Sequence, residues 1–189
     1  MLAFALAGCG EDAPATSGLA ESSPWENNVL QIETLKNWSG LDIVGGAGGI
    51  IFAADDVIEI EVMPLSGGFQ VLLQAAAASW SPFNNWNPAV SAGTPVSKEI
   101  TLTQAEVDTI VTNADSPANI RVRTNQANSK FVITKLVYKT GSTVKLDLIA
   151  AIADKDTGDL DDAGVKAIKA GFLQPAGGAA DVQFKILGP

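Results

Sequence analysis

The sequence predicts an all-β fold: a β-sandwich with one short helix and a small C-terminal α/β appendage. Three observations support this prediction. Apolar residues alternate with polar ones at a period of two, turn-forming residues separate the runs at short intervals, and one helix-capping sequence lies among them. Such a pattern is typical of a sandwich because each sheet buries one face and leaves the other face to solvent.

The predicted elements follow one another in a regular order. Strands are expected over residues 29–32, 58–62, 69–74, 99–102, 120–124, 130–138 and 182–187. The Ser-Gly-Gly turn at 66–68 predicts a hairpin between the second and third of these strands. Thr103 and Glu106 have the spacing of a capping box, so a short helix is expected over about residues 104–111.

Composition excludes several classes of function. The chain has 189 residues, no histidine, one cysteine and a formal net charge of −9. Because the chain has no histidine, no imidazole can act as a general base or as a metal ligand. A single cysteine cannot form an internal disulfide. With only 12 Lys and Arg residues the chain would be repelled by phosphate backbones, so no nucleic-acid partner is expected. The composition favours recognition over catalysis and implies no cofactor.

An apolar N-terminal run ends in Leu-Ala-Gly-Cys at residues 6–9. This pattern resembles the lipobox of bacterial lipoproteins, whose cysteine carries lipid. The resemblance implies that Cys9 is lipidated, that residues 1–24 are a signal remnant and tether, and that the protein is membrane-anchored in the bacterial cell envelope, outside the cytoplasm. The alternative is an incidental cysteine in a frayed N-terminal segment.

A second resemblance rests on the order of the later elements. A Thr-rich entry into a short helix (100–106), an Ile-Arg-Val-Arg strand (120–123), an Asn-rich turn and a final strand (130–133) are similar to bacterial carbohydrate-binding modules of the galactose-binding-like jelly-roll class. The resemblance implies a jelly-roll module over residues 25–140, of a kind that often accompanies glycoside hydrolases. Residues 141–189 are then an accessory element on the sandwich or a truncated second module.

The candidate ligand-binding residues are indole, amide and guanidinium side chains. Residues 79–88 hold two tryptophans, three asparagines and two prolines, which predicts a loop. Indole rings stack on sugar rings, and amides bond to hydroxyl groups. Two arginines share one strand face, and Gln70 and Gln74 are expected in similar positions on their own strand. The candidates are Trp80, Trp86, Asn84, Asn85, Gln74, Arg121 and Arg123.

Each candidate group has a structural alternative. The tryptophans can cover an open end of the core, and the arginines can pair with Glu59 and Glu61 across the sheet. Glu59 and Glu61 also have the same-face spacing that a pair of catalytic carboxylates needs. Solvent-facing charges explain that spacing more simply, so we expect no enzyme.

Calcium is the one metal for which the sequence offers ligands. Asp154, Asp156 and Asp162 occupy positions 1, 3 and 9 of a calcium loop counted from Asp154. Positions 5, 6 and 12 do not match, because Gly158, Asp159 and Val165 stand there. A solvated acidic loop is therefore favoured over a calcium site.

These observations lead to one hypothesis and one alternative. The hypothesis is that a surface-anchored β-sandwich lipoprotein binds polysaccharide or another glycan without altering it. The alternative is a structural or adhesive cell-surface protein that assembles through its sandwich. The sugar and the oligomeric state stay open at this stage.

Overall fold

In the computed structural model the chain folds into two antiparallel sheets. The structure describes residues 25–44, 50–75, 82–110, 118–153, 173–176 and 181–188. The strands are β1 (Val29–Thr34), β2 (Gly40–Ile43), β3 (Asp56–Ser66), β4 (Gln70–Ala75), β5 (Phe83–Trp86), β6 (Val96–Thr101), β7 (Ala118–Arg123), β8 (Ser129–Thr140), β9 (Thr143–Asp147), β10 (Leu173–Ala176) and β11 (Val182–Leu187). The helices are α1 (Gln104–Ile110) and α2 (Leu148–Ala153). The predicted all-β fold with a small helical part is confirmed.

The order of the strands gives the jelly-roll topology. One sheet, which we call sheet A, has the order β11-β1-β8-β3-β6, and β9 pairs with the end of β8. The other, sheet B, has the order β10-β2-β7-β4-β5. Within these, β1-β8-β3-β6 faces β2-β7-β4-β5, the arrangement of a double-sheet jelly roll. The C-terminal strands β10 and β11 extend the two sheets beyond β2 and β1.

The hairpin expected between β3 and β4 is wrong. β3 pairs with β6 and β8 in sheet A, whereas β4 pairs with β5 and β7 in sheet B. The intervening turn carries the chain from one sheet to the other, and Gly67 lies there at φ 69° with no room for a Cβ beside Ser129. Both strands have alternating apolar residues, which is the pattern expected of two strands paired in one sheet and also of two strands that face each other across a core. The pattern alone therefore does not distinguish a hairpin from a crossing between sheets.

The core lies between the inner faces of the two sheets. Ile58, Ile60 and Val62 of β3 are fully buried, as are Ile120 and Val122 of β7. Aromatic rings fill the space between the layers, where the centroids of Phe69 and Phe131 lie 5.9 Å apart. Because successive side chains on a strand point to opposite faces, the residues between these apolar ones lie on the outer faces of the sandwich.

The predicted capping box begins helix α1. Glu106 accepts hydrogen bonds from the amide and the hydroxyl of Thr103, both at 2.8 Å, and the Glu106 amide donates to the Thr103 hydroxyl at 3.3 Å. The Thr103 amide is the main cause of a lowered pKa at Glu106. These contacts satisfy amide groups that have no partner within the helix, as the sequence spacing predicts.

A buried carboxylate joins the start of β3 to the end of β8. Asp56 is fully buried and accepts hydrogen bonds from Tyr138 (2.5 Å), from the Ala53 amide (2.7 Å) and from Thr140. The ammonium group of Lys145 lies 3.1 Å from its Oδ1 atom. Burial acts to raise the pKa of Asp56, but the hydrogen bonds from these four groups outweigh it and lower the pKa below its usual value.

The lowered pKa of Asp56 makes its contribution to stability dependent on pH. Because the folded-state pKa lies below the unfolded-state pKa, this contribution is complete at neutral pH and is lost as the pH falls through the folded-state pKa. We expect Asp56→Asn to lower the free energy of unfolding by about 2 kcal/mol at neutral pH, and by less under strongly acidic conditions. Urea unfolding at both pH values measures the difference.

Asp55→Asn is the matched control for this prediction. Asp55 is exposed, and its φ of 63° lies in the left-handed region that asparagine also tolerates. We expect this variant to change the free energy of unfolding by less than about 0.5 kcal/mol at either pH. If the difference in free energy of unfolding between wild type and Asp56→Asn is the same at both pH values, the lowered pKa of Asp56 is contradicted.

Candidate functional site

The outer face of sheet B is mostly polar on its central strands, with the buried Leu72 between Gln70 and Gln74. Six polar side chains come from three neighbouring strands: Asp42, Gln70, Gln74, Asn119, Arg121 and Arg123. We call these six residues and the adjacent Trp38 the polar face. The six alternate with the core residues of the same strands, so the burial of Ile120 and Val122 determines their direction. The predicted residues Gln74, Arg121 and Arg123 thus lie on one face.

An ion pair lies at the centre of the polar face. Arg121 donates from Nε to Oδ1 and from Nη2 to Oδ2 of Asp42, each at 2.6 Å, across the β2–β7 ladder. Two parallel bonds of this kind are the strong bidentate form of an arginine–carboxylate pair. The expected alternative partners, Glu59 and Glu61, lie on sheet A instead. Arg121 is therefore neutralised within the face by a residue that the sequence reasoning had not considered.

One end of the polar face combines a guanidinium group with an exposed indole. The Cζ atom of Arg123 lies 4.8 Å from the ring centroid of Trp38, and its Nε donates to Gln70 at 3.3 Å. Burial, and then the charge of Arg121, lowers the pKa of Arg123, while Asp42 acts in the opposite direction. Arginine stays protonated despite such shifts. A permanent cation and an aromatic ring are therefore adjacent here.

The backbone holds Trp38 in position. Its amide donates to the Thr124 carbonyl at 2.8 Å, and the Thr124 amide donates to the Ser39 carbonyl at 3.0 Å. Trp38 has φ 64°, which is uncommon for a residue with a bulky side chain. Its side chain is nevertheless 53% exposed. A strained backbone that presents an exposed aromatic ring is typical of a binding site.

Burial divides the polar face into a covered end and an accessible end. Asn119 and Gln74, which are opposite each other in the ladder, are each only 4% exposed. Among the described residues, nothing forms a hydrogen bond with the Oδ1 atom of Asn119. The predicted residue Gln74 therefore lies at the covered end, and the face is most accessible beside Trp38.

Trp86 packs against the core. It lies on β5, half-buried, with its ring 5.6 Å from Phe69 at an interplanar angle of 79°. Phe83, at the start of the same strand, contacts Phe52 in the same edge-to-face manner. The loop expected over residues 79–88 is therefore wrong for 83–86, because these inward-facing rings pack as part of a strand beside β4. Trp80 lies outside the described residues.

The two candidate asparagines lie at the edge of the sandwich. Asn84 donates to Oε1 of Glu106 at 2.7 Å and thus connects β5 to helix α1. Asn85 is exposed and lines a hollow with Lys98 and Thr101 of β6. The structure does not bring either asparagine onto the polar face with Arg121.

The glutamates considered as a catalytic pair lie on the outer face of sheet A. Glu59 forms ion pairs with Lys135, at 2.5 Å, and with Lys139. Hydrogen bonds from these two lysines lower the pKa of Glu59 to about 2, so it is ionised at neutral pH. Glu61 accepts a hydrogen bond from Thr134 at 2.6 Å. A carboxylate held ionised in this way is not suited to the role of general acid.

The remaining sequence predictions concern lipid and metal. Cys9 and the candidate calcium ligands Asp154, Asp156 and Asp162 lie outside the described residues. Within the described ranges, no cluster of three or more acidic or cysteine side chains could hold a metal ion. Over the same ranges, no helix is long and apolar enough to cross a membrane.

Sequence reasoning missed Trp38 and Asp42 as members of the site, whereas it placed Gln70 on the same strand face as Gln74. Asp42 stands between Leu41 and Ile43, so a period of two could have placed it on a polar face. Trp38 had no comparable signal, because its position depends on the turn between β1 and β2.

The contact between Asn84 and Glu106 predicts a structural role for Asn84. Asn84 has φ 48°, which disfavours residues other than glycine, asparagine and aspartate. We expect Asn84→Gly to lose about 1 kcal/mol of stability with the hydrogen bond, and Asn84→Ala to lose about 1 kcal/mol more from backbone strain. Denaturant unfolding measures both, and Asn85→Ala is the exposed control. Equal losses in the two variants would contradict the backbone contribution.

Comparison with known proteins gave no match to this chain among family models, curated proteins or solved structures.

Proposed function

We propose that the protein binds polysaccharide without altering it, and that the Trp38 end of the polar face is the binding surface. The observation that carries this proposal is the exposed Trp38 ring beside Arg123, at the open end of a row of polar side chains. Sugar rings have an apolar C–H surface that stacks on an indole, and hydroxyl groups that need hydrogen-bonding partners at its edge. Trp38 offers the first kind of contact, and Arg123 offers the second.

The shape of this surface supports binding of a polymer. At its accessible end Trp38 is 53% exposed on the outside of the sandwich, where a segment of an extended chain could stack without entering a deep pocket. The resemblance to jelly-roll carbohydrate-binding modules supports the same function. Lipidation at Cys9 would place this binding face at the bacterial cell envelope, where polysaccharides are accessible.

Trp38→Ala tests the proposal. We expect wild-type protein to be retarded in native affinity gels containing one or more soluble polysaccharides, and the variant to lose about tenfold or more in affinity because the stacking surface is removed. Leu35→Ala is the matched control, since Leu35 is another exposed apolar residue next to the same turn. The same protein should release no reducing sugar from the polysaccharide that it binds.

Two results would count against polysaccharide binding at this surface. One is a wild-type protein that no polysaccharide in a broad panel retards. The other is equal retardation of wild type and Trp38→Ala while both remain folded by circular dichroism. Light scattering distinguishes the structural alternative, because an assembly protein would form oligomers that are indifferent to sugar.

A further inference from the structure

The polar face carries one cation, Arg123, that forms no ion pair with a carboxylate of the described residues. Asp42 takes up both donor positions that Arg121 directs towards it, so this pair contributes no net charge. Arg123 forms no ion pair with any carboxylate within the described part of the chain, and its hydrogen-bonding partner is the neutral Gln70. The face thus has a net charge of about +1, on a protein whose formal net charge is −9.

The surroundings of Arg123 keep this charge in a defined position. On one side Gln70 is its neighbour in the ladder, and on the other side Gly40 occupies the corresponding position. A Cβ atom at Gly40 would lie 2.5 Å from the Cα of Arg123 and 2.7 Å from its Cβ. A larger residue at Gly40 would therefore clash with the backbone of β7, so the absence of a side chain there allows β2 and β7 to pair closely beside Arg123.

The chemistry of this group points to a planar anion. The Nε atom of Arg123 is used in the bond to Gln70, whereas its Nη atoms have no hydrogen bond to a described residue. A guanidinium fork binds carboxylates with two parallel bonds, which hydroxyl groups match less well. An acidic protein repels polyanions in general, so a bound polyanion would depend on a local cation such as this one.

Resting on the proposed function, we propose that the polysaccharide contains uronic acid, with the Arg123 guanidinium binding the uronate carboxylate beside the ring that stacks on Trp38. The ligand class is therefore an acidic polysaccharide such as a polyuronate, and a neutral polymer of the same linkage would bind more weakly. Arg121 and Asp42 hold the neighbouring strand positions and do not themselves supply the charge that selects the ligand.

The experiment compares polygalacturonate with its carboxyl-reduced, neutral form, together with a second polyuronate and its reduced form. Isothermal titration measures the affinity of wild type, Arg123→Gln and Lys98→Gln for each polymer. Lys98 is exposed on β6 of the other sheet, so its variant removes the same charge from the whole protein at a different place. We expect wild type and Lys98→Gln to prefer at least one polyuronate by about tenfold over its reduced form.

Arg123→Gln should lose this preference and bind the acidic and reduced forms with similar affinity. Equal affinity of wild type for the acidic and reduced forms would overturn the uronate inference and leave polysaccharide binding intact. Equal binding of dextran sulfate would also overturn it, since that result indicates general attraction of anions. If wild type and both variants bind neither the acidic nor the reduced polymers, and wild type binds no other polysaccharide, the proposed function itself is overturned.

Discussion

Ile120 and Val122 point into the core between the two sheets, and alternation along β7 then requires Asn119, Arg121 and Arg123 to point outward. The same constraint acts on β2 and β4, whose core residues lie opposite those of β7 in the ladder. The polar face is therefore a consequence of how the apolar core is packed. No loop conformation is needed to bring its strand residues together, whereas the turn between β1 and β2 places Trp38.

A polar face that is partly buried must satisfy its own charges. Asp42 is 7% exposed, and an unpaired carboxylate at that degree of burial would be costly. Arg121 compensates it with two hydrogen bonds, so the interior of the face is neutral and rigid. Burial decreases towards Trp38, where charge and aromatic surface become accessible. The ion pair that stabilises the face thus lies at its centre, and the accessible groups lie at its Trp38 end.

Period-two alternation and local capping chemistry were readable from the sequence, because both depend on residues that are close together in the chain. The strands β3 and β7 and the capping box at Thr103 and Glu106 were predicted in this way. The partner of Arg121 was not, since Asp42 lies 79 residues away and the β2–β7 pairing determines the contact. Trp86 was misjudged for a related reason: the sequence does not reveal that its strand packs beside Phe69.

The C-terminal strand β10 affects the polar face although it lies far from it in sequence. Gln174 of β10 is opposite Asp42 in the ladder, so β2 is an inner strand of sheet B. Without β10, β2 would become an edge with unpaired amide and carbonyl groups, and Asp42 would be more exposed to water. Water weakens an ion pair by raising the local dielectric constant. The geometry of the Asp42–Arg121 pair therefore depends on residues 173–176 as well as on the jelly roll that they extend. Because this pair is neutral, Arg123 provides the net positive charge of the polar face.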